Sequence, residues 1–148
     1  MRALLVAFAL ALGGCAQFPP QFGAASRLDE VLAAAAQARH LPPAEQGREL
    51  GLARKAFAAG HGDFERLRLA TLLATLPEPL GDDAEAATLL APLAAGRADT
   101  PMRRFASLLA VQLGERQRLE QQADDLQKRL DEIKSIERKA LRRDERLQ

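Results

Sequence analysis

The chain of 148 residues has no tryptophan, no tyrosine and a single cysteine. Its aromatic content is six phenylalanines, too few to build a platform on which nucleic-acid bases could stack, so no nucleic-acid partner is expected. One thiol, Cys15, excludes any disulfide within the chain. The two histidines, His40 and His61, fall in separate breaks with no H-E-x-x-H spacing between them, and no metal or other cofactor is expected. Ser26, Ser107 and Ser135 lack a G-x-S-x-G setting. Glycine-rich phosphate loops are missing. The acidic neighbours Asp82-Asp83 and Asp124-Asp125 read as helix-start and surface charges rather than an acid/base couple. No catalytic constellation remains, and the chain is not expected to be an enzyme.

β-branched residues are also scarce, and no stretch alternates at period two. Ala, Leu, Arg, Glu and Gln dominate, all strong helix formers. The expected fold class is all-α: a small helical bundle with repeat-like hairpins, followed by one long C-terminal helix of coiled-coil character.

The longest purely apolar run is Ala3 to Leu12, behind the basic start Met1-Arg2. Ten residues rise roughly 15 Å as a helix, half of a bilayer core of about 30 Å. A basic start, a short apolar core and small residues at its end have the pattern of a secretory signal. Here Leu12-Gly13-Gly14 leads directly into Cys15, which resembles a bacterial lipobox. The expected cleavage lies between Gly14 and Cys15, with residues 1–14 as signal peptide. Cys15 would carry a diacylglyceryl thioether and, on its new amine, a third acyl chain such as palmitate. Two or more chains make a stable membrane anchor, whereas one is marginal. Ala16 stands where an aspartate retains such proteins in the inner membrane, so a lipid-anchored outer-membrane protein facing the periplasm is expected.

Residues 15–25 hold the lipidated cysteine and a tether that Pro19-Pro20 would stiffen into extended chain. A helical domain is expected over 26–100. Its first helix starts at Ser26, with Asp29 completing a capping box, and puts Leu28, Val31, Leu32 and Ala35 on one face. A second runs from Ala44 to Ala59 behind Pro43, with Gly60 as its stop and Leu50, Ala53 and Phe57 as its stripe. A third, Phe64 to Leu76, takes Asp63 as N-cap, and a fourth starts after Asp82 or Asp83 and is kinked or ended by Pro92. The second and third together are similar to one tetratricopeptide-type hairpin.

Thr100-Pro101 is a helix start, and after it no proline and one glycine, Gly114, occur before the end of the chain. Residues 101–148 are expected to form a single long helix, whose first part, "MRRFASLLAVQL" at 102–113, is apolar enough to pack on the preceding bundle, while the rest pairs with a partner helix, pairs weakly with itself or stands solvated. With heptad position d set at Phe105, the d column continues Gln112, Leu119, Leu126, Ile133, Ala140 and Leu147. The a column reads Met102, Leu109, Arg116, Ala123, Leu130, Glu137 and Asp144. A self-sufficient dimeric coiled coil wants both columns apolar, so a weak homo-oligomer or none is expected. Asp124–Lys128 and Asp125–Arg129 are i, i+4 pairs that support the helix. Charge is uneven, with 8 basic and 11 acidic residues over 16–101 against 12 and 9 over 102–148. The basic end suits a solvated helix C-terminus, or a docking surface for an acidic partner or cell-wall polymer.

The lipobox, the segment "RLRLATLLATLPEP" and the final helix with "LDEIKSIER" at 130–138 together resemble the QseG-type (YfhG-like) lipoproteins. The resemblance implies an outer-membrane lipoprotein that faces the periplasm, binds a sensor histidine kinase of a two-component system and promotes its signalling. Of the functional residues the resemblance carries over Cys15; the contact surface is expected on the final helix, around Leu119, Leu126, Leu130, Ile133 and Ile136. A structural or assembly lipoprotein of the cell envelope, as a helical-repeat scaffold or coiled-coil spacer, is the alternative.

Overall fold

A computed structural model describes residues 21–145 and is all-α over that span. The five helices are α1 (Gln21–Ala38), α2 (Pro43–Gly60), α3 (Asp63–Thr75), α4 (Asp83–Ala95) and α5 (Pro101–Glu145). The expected signal peptide, Gly14 and Cys15 lie outside the described residues.

The bundle is organised around α3. Leu67, Leu69, Ala70, Leu72, Leu73 and Ala74 are all buried, and a helix segment that is apolar nearly all round, as Leu69 to Ala74 is, has to be surrounded. The other four helices pack on it. Thr71 is also buried, and its hydroxyl donates to the Leu67 carbonyl at 2.8 Å, which removes the cost of an unpaired polar group. From α1 come Val31, Ala35 and Ala38; from α2, Leu50 and Ala53; from α4, Ala86, Leu90 and Leu93. Ala106 and Leu113 of α5 are fully buried in the same core. The helical domain expected over 26–100 therefore shares its core with the first turns of the long helix.

Local chemistry explains most of the boundaries. Pro43 occupies the first turn of α2, where its missing N–H costs nothing. The Asp82 carboxylate accepts from the Glu85 amide at 2.8 Å and caps α4. Thr100 Oγ1 accepts from the Arg103 amide at 3.2 Å and does the same for α5. Between α3 and α4 the loop folds back so that the Asp82 amide donates to the Leu73 carbonyl at 3.0 Å. A side chain at Gly81 would run into the Leu76 carbonyl, so this turn requires glycine.

Several expectations give way. α1 begins at Gln21 rather than Ser26, so residues 21–25 of the expected tether are helical; the good helix formers Ala24 and Ala25 extend the helix backwards. Leu32 is 39% exposed and Ala38 is buried in its place, because α1 packs against both α3 and α5 and its stripe is rotated to meet both. The N-cap of α3 is Gly62, with Asp63 in the first turn near the positive end of the helix. His61, not Gly60, takes the left-handed position after α2 (φ 50°), donates its amide to the Phe57 carbonyl at 2.8 Å and sets its ring 5.2 Å from that of Phe57. Pro92 does not end α4, which continues to Ala95. The packing of Leu90 and Leu93 holds the last turn to the core despite the backbone hydrogen bond that proline cannot make.

Candidate interaction surface on the long helix

α5 begins inside the core and ends outside it. Ala106 and Leu113 are buried, and Met102, Phe105, Leu109 and Ala110 pack partly against the core. Beyond Glu115 the described side chains are exposed, with only Gln117 and Ser135 partly covered. The stretch from Leu119 to the helix end spans roughly 40 Å at 1.5 Å per residue.

The point of departure is tied down by Arg116. Its Nη1 donates to the Ala74 carbonyl at 3.1 Å and to the Asp83 carboxylate at 3.3 Å. The first bond satisfies a carbonyl in the last turn of α3; the second reaches the first turn of α4. The heptad frame puts Arg116 in the seam, where it would weaken pairing. Its side chain turns to the bundle instead. Arg103 acts similarly at the other end of α5, with Nε donating to the Ala94 carbonyl and Nη1 to the Ala98 carbonyl, both at 3.2 Å. No local pattern in the sequence distinguishes either arginine as a tie to the bundle.

Next to Arg116 a cleft of about 530 Å³ is lined by Leu76, Glu78, Asp82, Asp83, Arg116 and Glu120. Among the described residues no group of three or more His, Cys, Asp or Glu is placed to hold a metal ion. His40 and His61 are both exposed and belong to different turns.

The residues expected to form a contact surface lie on the protruding part of α5. Leu119 (57% exposed), Leu126 (60%), Leu130 (50%) and Ile133 (53%) follow one another at helical spacing along one side. Ile136, 63% exposed, stands at the edge of that row. Two residues that heptad reasoning passed over, Leu108 and Val111, are 60% and 62% exposed and carry the same side back alongside the bundle. Leu108 is about five turns from Leu126, so the two align along the axis. The bundle takes Leu113 where the heptad assignment had put Gln112 in the seam. α5 thus presents two faces, turned roughly 130° from each other: one buried in the core, the other apolar and uncovered among the described residues.

The charged residues around the open face interact mostly within one turn. Glu115 pairs with Arg118 at 2.7 Å, Asp125 with Lys128 at 3.7 Å and Asp131 with Lys134 at 3.9 Å. Lys128 therefore chooses Asp125 rather than Asp124, and Asp131 also accepts from Gln127 at 3.2 Å. Such exposed pairs support helicity by a few tenths of a kcal/mol each and leave the leucines in solvent. Among the described residues no helix is long and apolar enough to cross a membrane.

No protein-family model, curated protein or solved structure matches this chain.

Proposed function

We propose that this chain is a lipid-anchored accessory protein of the outer membrane, facing the periplasm, that binds a two-component sensor histidine kinase through α5 and promotes its signalling. The observation that carries the reading is the row Leu119, Leu126, Leu130 and Ile133, half or more exposed on a helix that outruns its own bundle. Single exposed leucines are ordinary, but a row of them along one helix face suits docking against a partner helix. The lipobox ending at Cys15 supports the anchor, and the likeness of the final helix to QseG-type lipoproteins supports the kinase as partner. On this reading the bundle is the holder and the protruding helix the reach.

The test is photo-crosslinking in intact cells from Leu126 and Ile133, with Leu52 of α2, exposed but off the row, as control. Capture of a histidine kinase from the two row positions and not from Leu52 is expected. Recovery of wall-associated proteins without any kinase would move the protein to the structural class of envelope lipoproteins.

A further inference from the structure

The open face of α5 carries a charge pattern that discriminates between ways of pairing with itself. In heptad terms the flanking e positions are Glu120, Gln127 and Lys134, and the g positions are Glu115, Gln122, Arg129, Ile136 and Arg143. When two such helices run parallel, each g residue meets the e residue five places on in the partner. Glu115 would then face Glu120, and Arg129 would face Lys134. The a column would stack Glu137 on Glu137. Every charged contact in that arrangement is repulsive.

Turning one helix round reverses the result. With Leu126 of one copy against Leu130 of the other, Ala123 meets Ile133 and Leu119 meets the stem of Glu137. In an antiparallel pair, e faces e and g faces g. Glu120 then faces Lys134, and Glu115 faces Arg143, each twice by the two-fold axis. Only the central Arg129 pair repels, while Gln127 meets Gln127. Arg116, the most damaging a residue, is already withdrawn toward Ala74 and Asp83 and leaves the seam clear. The core face of α5 points away from the seam, so the two bundles lie at opposite ends and the helices overlap over roughly 43 Å between residues 115 and 143.

We infer that this face is an antiparallel pairing surface for a second copy of the chain, centred on Leu126 and Leu130, with Glu120–Lys134 and Glu115–Arg143 as its flanking ion pairs. The broken a column weakens a parallel coiled coil, but it does not weigh equally on this arrangement, because each a residue meets a d residue and like charges no longer stack. The inference goes beyond the kinase reading and stands independently of it. If both hold, the second copy and the kinase compete for the same face.

Sedimentation equilibrium of the full chain, with Glu120→Lys, Lys134→Glu and the double variant, tests this. Each single substitution should weaken the dimer about three- to tenfold, since it reverses two symmetry-related pairs, and the double variant should restore it. Both residues are exposed, and circular dichroism would verify that the helix is intact in each variant. A parallel dimer gives the opposite sign: each single substitution removes a repulsion and tightens it. That sign would overturn the inference. So would a chain that stays monomeric at about 100 μM, or a dimer indifferent to both substitutions, which would place the interface on another surface.

Discussion

α3 and the protruding part of α5 are both leucine-bearing helices, and they are stabilised by different physics. α3 has 13 residues, near the length at which an isolated helix is marginal in water. It exists because four neighbours bury it: Leu67 and Leu73 have no exposed surface and Leu72 has 1%. The stretch beyond Leu119 has no such cover among the described residues. Its support is propensity, with no glycine or proline, and short-range pairs such as Asp125–Lys128 and Asp131–Lys134. Leucine is a good helix former in both settings. What it contributes to stability depends on what it touches, so the same residue type is structural in α3 and available for binding in α5.

That contrast breaks most visibly at Leu72. Leu72→Ala leaves a cavity among tightly packed side chains and should cost about 2–5 kcal/mol, a large share of a small domain's stability. Urea unfolding followed by circular dichroism should show a much lower midpoint. The region between the two regimes gives a smaller effect of opposite sign. Gly114 sits where α5 leaves the bundle, and a Cβ there would meet nothing within 4 Å. Gly114→Ala should therefore stabilise α5 by up to about 1 kcal/mol through backbone entropy alone, read as a rise in the thermal midpoint. The smallest expected effect is at Leu126. Leu126→Ala should leave unfolding of the chain below its dimerisation range within about 0.5 kcal/mol of the parent. A cost of several kcal/mol at that site would show that the row is covered within the fold and would abolish the comparison.

The helices themselves were largely legible in the sequence. Pro43, Asp82 with Glu85, and Thr100-Pro101 mark starts by chemistry confined to one turn, and the structure keeps each of them. Which side of each helix faces inward was less legible. Leu32 and Ala38 differ in apolar size in the direction that would favour burying Leu32, yet Ala38 is the one inside. The crossing of α1 over α3 and α5 sets its orientation, and a small side chain lets helices approach closely. On α5 the apolar stretch 102–113 points to packing on the bundle, but a heptad frame begun at Phe105 does not give its orientation: the helix has two faces, one in the core and one in solvent. Gln112 and Leu113 are adjacent in sequence, and a rotation of one residue exchanges them. The exposed row at Leu119, Leu126, Leu130 and Ile133 was foreseeable from spacing alone; its continuation through Leu108 and Val111 was not.

Propensity, caps and breakers act within about four residues, and they were sufficient to specify an all-α chain, the major helix starts and an unbroken final helix. Burial is a sum over neighbours distant in sequence, so the centrality of α3 and the turning of Arg116 out of the seam to Ala74 and Asp83 arose only when the helices packed, whereas the apolar composition of residues 102–113 already marked them for the bundle. The apolar row was written in the order of residues. That it stands in solvent, more than a quarter turn from the face that the bundle covers, is a consequence of how the other four helices used up the first turns of α5.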